Sequence, residues 1–302
     1  MQISANGIRL EVEDHGPASG EPLLLIMGLG MQLVAWHEDF VALLVARGFR
    51  VIRYDNRDIG LSQHFDHLGT PNLLWAGLRY KLGLPVRSPY ALSDMAADGW
   101  GVLDALHIER AHVVGVSMGG MIAQRMALAQ PDRMLSLTSI MSSSGARELP
   151  QARPEVTRAL LSRPASNSPE VVLAHFVRLF QIIGSPDFPT PEETVRERVQ
   201  QGLQRSFHPV GTQRQMLAIV ADQGRAQALS AIRCPTLVIH GQADPLVPFA
   251  HGEDTARRIA GARLVGIAGM GHDLPPEPVS QILDALVPHL QSANPPPAYR
   301  AK

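Results

Sequence analysis

The chain has 302 residues, 45% of them apolar and 18% charged, with a formal net charge of −1. That length can bury one sizeable core, as a single large domain or one domain with an insertion. The charge balance offers no basic excess to drive binding to nucleic acid or an anionic membrane. One cysteine, Cys234, excludes an internal disulfide, and its place ahead of Pro235 reads as a buried structural thiol.

The N-terminus has no charged segment leading into an apolar one, and no apolar run approaches a membrane span. The expectation is a soluble, cytoplasmic protein. Asn6-Gly7, between Ile3 and the alternating Ile8, Leu10 and Val12, reads as a hairpin turn. Leu23 to Met27 is a continuous apolar run, as a strand buried on both faces requires. A helix from Phe40 to Ala46 is expected to stop at Gly48, followed by a strand from Arg50 to Tyr54. Between Ser62 and Ser93 lies a mixed apolar segment, either a lid element or a surface loop pinned by Trp75. Ser93 is the expected cap of a helix reaching Leu106.

A short β-branched run, Ala111 to Val114, then leads into Gly115-Val116-Ser117-Met118-Gly119-Gly120 and a helix from Met118 to Gln130. A strand follows from Leu135 to Ile140. Strands alternating with helices predict a mostly parallel, doubly wound sheet. The alternation stops between about 144 and 230, where helical patterns cover Val171 to Ile183, Glu192 to Phe207 and Gln213 to Asp222. This segment is expected to form a helical cap over the active end of the sheet, with peripheral decoration as the alternative. Strands at Thr236 to Ile239 and Leu264 to Ile267 resume the pattern, with helices near Thr255 to Ile259 and from Val279 to Leu290. The core thus spans 1–143 and 231–291, and the Pro-rich 292–302 reads as a disordered tail.

The G-x-S-x-G pentapeptide around Ser117 gains its meaning from the strand, sharp turn and helix that enclose it. A serine hydroxyl needs a base, and the base needs a third group to fix its tautomer. Asp244, directly after the strand ending at His240, and His272, after the strand ending at Ile267, follow in the order acid then histidine. No carboxylate follows Ile140 to compete with Asp244. Asp273 is expected to turn away or bind backbone; His240 and His251 are weaker candidates for the base. The oxyanion donors expected are the backbone N–H groups of Met118, at its helix start, and Leu29, in Gly28-Leu29-Gly30. Gly28, Met31, Phe176, Phe180 and Met270 are the candidate pocket residues, although methionine also fills core gaps. Asp55, Arg57 and Asp58 read as loop architecture. His64 and His67 lack a third metal ligand, and no phosphate or dinucleotide fingerprint is present, so neither metal nor cofactor is expected.

Taken together, Met27 to Gly30, Arg53 to Ser62, the Ser117 elbow, Pro235 to Pro245 and Gly269 to Leu274 resemble the α/β-hydrolase superfamily over nearly the whole chain. Within it they are most similar to the aclacinomycin methylesterase group, which shares the Met-Gly oxyanion loop. The resemblance implies a serine hydrolase acting on a carboxylic ester; the methionines in the active-site loops suit a small apolar ester as its partner. A carbon–carbon bond hydrolase or a lactonase would use the same three residues, and a non-catalytic receptor could retain them. Ser117 argues against epoxide hydrolases and haloalkane dehalogenases, which need a carboxylate at the elbow.

Overall fold

The computed structural model describes residues 1–293. Eight strands form one sheet: β1 (Gln2–Ala5), β2 (Ile8–His15), β3 (Glu21–Ile26), β4 (Phe49–Tyr54), β5 (Ala111–Val116), β6 (Met134–Ile140), β7 (Thr236–Gly241) and β8 (Arg263–Ile267). Their spatial order is β1-β2-β4-β3-β5-β6-β7-β8. β1 and β2 form an antiparallel hairpin, β2 runs antiparallel to β4, and every later pairing is parallel. The hairpin turns at Asn6 and Gly7, both at positive φ (49° and 76°), the backbone that matches the twist of its two strands.

Successive side chains of β3 point to opposite faces. Leu24 and Ile26 join Trp100, Ile122 and Met126 in one core layer, while Leu23 and Leu25 join Trp36, Phe40 and Leu286 in the other. Each fully buried apolar side chain of this kind contributes roughly 1.5–3 kcal/mol. The helices carrying these layers are α1 (Glu38–Ala46), α3 (Leu92–Ala105), α4 (Met118–Ala129) and α11 (Pro276–Ser292), with α2 (Leu73–Lys81) lying between α1 and α3 in the chain. Two expectations need correction. Ser93 does not cap α3: the helix starts at Leu92, and Asp94 Oδ2 accepts the Ala91 N–H at 2.8 Å. Trp75 does not pin a loop either, because it is 57% exposed on a helix. Cys234 is half-buried, and burial pushes its thiol up to about 11. Helix α11 takes in Ser292; residues 294–302 of the expected tail lie outside the described residues. Among the described residues, no helix is long and apolar enough to cross a membrane.

Between β6 and β7 the chain forms α5 (Pro154–Leu161), α6 (Pro169–Ile183), α7 (Glu192–Arg205), α8 (Pro209–Ala221) and α9 (Arg225–Ala228), before α10 (Ala250–Arg258) follows β7. Proline opens α5, α6 and α8 at a position where its missing N–H costs nothing. These helices meet the loops that follow the parallel strands. Arg214 of α8 grips Asp58 with two bonds of 2.7 Å, both side chains fully buried, and Tyr90 donates to the same carboxylate. Burial alone would push Asp58 up, yet these donors hold it below the usual carboxylate range. Arg205 of α7 reaches Asp55 at 2.6 Å, and Gln32 donates to the Gly202 and Ser206 carbonyls. The helical segment therefore sits against the C-terminal ends of β3 and β4, where Ser117 also emerges after β5.

Candidate active site

Ser117 occupies the turn between β5 and α4 with φ 54° and ψ −119°, a backbone that L-residues seldom adopt and that marks stored strain. The flanking glycines are steric necessities. A Cβ on Gly115 would lie 2.1 Å from the Gly119 carbonyl oxygen, and one on Gly119 would lie 2.1 Å from that of Ile26. The Ser117 N–H donates to the Ile140 carbonyl at 2.9 Å, and Ser142 Oγ donates to the Ser117 carbonyl at 2.7 Å. The turn is thus tied to β6 on both sides, which leaves the hydroxyl facing the end of the sheet.

Three residues far apart in the chain meet there. Ser117 Oγ lies 3.0 Å from His272 Nε2, and His272 Nδ1 lies 2.7 Å from Asp244 Oδ2. The carboxylate fixes the tautomer: Nδ1 carries the proton that Asp244 accepts, so Nε2 presents a lone pair to the serine hydroxyl. Asp244 is itself held, its Oδ1 accepting the Leu246 and Val247 N–H groups at 2.9 and 2.8 Å. Asp244 and His272 are buried, while Ser117 is half-buried and so within reach of a ligand.

The other histidines near Asp244 are occupied. His240 Nε2 donates to the Val247 carbonyl at 2.7 Å and stands 3.6 Å from Asp244, and burial holds its ring below the ordinary range. His251 bridges Ser143 and the Pro150 carbonyl.

The loop after β3 passes beside the serine. Only 3.2 Å would separate a Cβ on Gly28 from the Ser117 Cβ, so glycine permits the close approach. Asn56 donates to the Met27 carbonyl at 2.9 Å, and Gln215 of α8 accepts the Gly30 N–H at 3.0 Å. These two residues escaped the sequence reading because neither sits at a spacing that marks a site. Met118 opens α4, so its N–H belongs to the first helical turn, whose amides lack intrahelical partners.

A strap from the helical segment also holds the histidine loop. The His272 N–H donates to the Ile183 carbonyl at 2.8 Å, and the Gly271 N–H donates to Ser185 Oγ at 2.8 Å. Ser185 Oγ in turn donates a hydrogen bond to Asp273 Oδ1. Burial pushes the Asp273 carboxyl up, against the hydrogen bonds from Ser185. Asp273 therefore binds the strap through the Ser185 hydroxyl. The pairing joins residues 88 apart in sequence, so no local pattern announces it.

The pocket candidates divide. Gly28 faces Ser117, and Met31 is partly buried against the core layer containing Met27. Met270 is fully buried in that same layer, and Met118 in the opposite one. Phe176 and Phe180 pack with Leu173, Val177 and Val199 between α6 and α7, and Phe176 also meets the Phe207 ring edge-on.

Among the described residues, His67 belongs to no group that could hold an ion. His64, Asp66 and His208 do approach, with ligand atoms within 4.8 Å of one another. The two imidazoles, however, stack 3.9 Å apart and 2° from parallel, so their in-plane lone pairs do not converge on one ion.

A family described as the alpha/beta hydrolase fold matches residues 21–278. Rhodomycin D methylesterase DnrP of Streptomyces peucetius is 30% identical, over 97% of this chain and 98% of its own. A 2-hydroxymuconate semialdehyde hydrolase from a Pseudomonas species is also 30% identical, over 90% of this chain and 86% of its own. Among solved structures, the enol-lactonase of Burkholderia xenovorans superposes with a TM-score of 0.74 at 24% identity, covering 96% of this chain and all of that one. The parallel sheet, the strained serine turn and these matches lead to one conclusion: the chain belongs to the α/β-hydrolase fold family and is a hydrolase.

Proposed function

We propose that this protein is a cofactor-independent carboxylic-ester hydrolase that acts through an acyl-enzyme on Ser117, on a small apolar ester in the cytoplasm. The observation that carries the reading is the continuous line of hydrogen bonds from Ser117 through His272 to Asp244. His272 Nε2 takes the hydroxyl proton as Ser117 Oγ attacks the acyl carbon, and Asp244 stabilises the imidazolium that forms. The developing oxyanion is held by the N–H groups of Met118 and Leu29. The alcohol leaves with the proton from His272, and water then releases the acid by the same machinery. The helices between 144 and 230 act as a cap that closes over the serine and shapes the acyl pocket, with Gly28 and Met31 on its near side.

Whole-length identity to a protein named as a methylesterase supports the ester reading. The identity to a semialdehyde hydrolase favours a second one, carbon–carbon cleavage by the same residues. A panel of methyl, ethyl and aryl esters, lactones and vinylogous diketones separates them. We expect at least one open-chain ester to give the highest kcat/KM; faster cleavage of a vinylogous diketone than of every ester would overturn the assignment.

Ser185 acts here as a positioning residue, since its hydroxyl ties the Gly271 amide to Asp273 beside the general base. Ser185→Ala is expected to lower kcat by roughly 10- to 100-fold, the scale of a misplacement near 1 Å. KM should change little, and Ser185→Thr, which keeps a hydroxyl, should restore much of the rate. Equal loss in both variants, or a change confined to KM, would remove Ser185 from this role.

A further inference from the structure

Helix α2 is apolar on two opposite sides. Its inner side, Leu73, Ala76 and Tyr80, packs on Leu217 of α8. Its outer side carries Leu74, Trp75 and Leu78, continued by Leu82 at the helix end, all exposed; Leu74 is 89% and Trp75 57% accessible. At 100° per residue these four fall within an arc of about 100°. Such a stripe ordinarily faces a core, and here it faces solvent.

Charge says what this face fits. Residues 67–93 contain Arg79, Lys81 and Arg87 and no carboxylate. By helical position Lys81 flanks one edge of the stripe and Arg79 the other. A groove beside Trp75 brings Arg79 and Arg87 together over an apolar wall of Ala76, Val86 and Leu217. A second copy of this chain would set these cations against their equals. The chain-wide charge of −1 conceals this local excess.

We propose that the outer face of α2 is a docking surface for an anionic lipid interface. Leu74, Trp75, Leu78 and Leu82 enter the boundary between headgroups and acyl chains, while the flanking cations meet lipid phosphates. Helix α2 leans on α8, whose Gln215 holds the Gly30 amide beside the serine loop. Docking therefore turns the active-site end of the sheet toward the membrane, a source of apolar substrates. The surface stands whatever bond the enzyme cleaves.

The tryptophans supply the test. Trp36 and Trp100 are buried and Trp75 is exposed, so insertion should shift the emission of Trp75 to the blue. Full-length protein is mixed with vesicles of phosphatidylcholine, with or without phosphatidylglycerol, and followed by fluorescence and co-sedimentation. The expected result is a blue shift and sedimentation with anionic vesicles only, with no shift in Trp75→Phe. Apparent affinity should fall at least tenfold in Lys81→Glu/Arg87→Glu and in Leu74→Glu/Leu78→Glu. Turnover of a water-soluble ester serves as the folding control and should stay unchanged in both. Absence of binding, or equal binding to neutral vesicles, overturns the proposal. So does a dimer that dissociates in Leu74→Glu/Leu78→Glu without vesicle binding, which would assign the face to self-association.

Discussion

Ser117→Ala should leave a folded protein whose ester turnover is lower by on the order of a millionfold, the usual consequence of removing a member of such a constellation. Alanine retains the Cβ of residue 117 and keeps the same backbone at φ 54°, so the strain of the turn is unchanged. Among the described residues, the hydroxyl's bond to His272 is its only side-chain bond, and the residue is half-buried. Losing one such bond costs about 0.5–1.5 kcal/mol at most, so urea denaturation should show a nearly unaltered midpoint. Rates on a chromogenic ester, measured beside that midpoint, separate loss of chemistry from loss of fold. A folded variant keeping more than a tenth of wild-type turnover would mean that another nucleophile does the work.

The parts of this molecule that were legible in the sequence are those dictated by burial and by backbone sterics. Strands β3, β5, β6 and β7 lie inside the sheet, so Leu23 to Ile26 and Ala111 to Val114 had to be almost unbroken apolar runs. Gly115 and Gly119 are forced by the 2.1 Å approaches at the elbow. Asp244 and His272 were marked by standing just past strand ends, where side chains from distant segments come together. What stayed hidden depends on partners remote in sequence. Helix α2 shows no apolar–polar contrast because both its sides are apolar, so its periodicity gave no signal. The Ser93 cap failed because Asp94 satisfies the Ala91 amide instead. Phe176 and Phe180 lie on an apolar helical stripe, but periodicity cannot tell whether the stripe meets α7 or a ligand. Ser185 and Gln215 act through residues 86 and 185 positions away, beyond any local pattern.

Asp244→Asn is the sharper test of how the base is prepared. The expected loss in turnover is about ten-thousandfold, by analogy with the same change at the carboxylate of other such constellations. The local geometry explains why a nearly isosteric change should cost so much. Asp244 Oδ1 accepts the Leu246 and Val247 N–H groups, so an asparagine would keep its carbonyl oxygen there and turn its NH2 toward His272 Nδ1. A donor facing Nδ1 forces the ring proton onto Nε2, which then meets Ser117 Oγ as a donor and cannot accept its proton. The two titratable neighbours do not repair this: His240 is engaged with the Val247 carbonyl and Asp273 with Ser185. Turnover in the variant should rise with pH as hydroxide begins to replace the missing base, and it should be followed to alkaline pH alongside the wild type. The folded state should survive, because both backbone bonds to residue 244 persist. A loss below tenfold, or a structure of the variant with His272 Nδ1 bonded to another acid, would show that Asp244 does not set the tautomer.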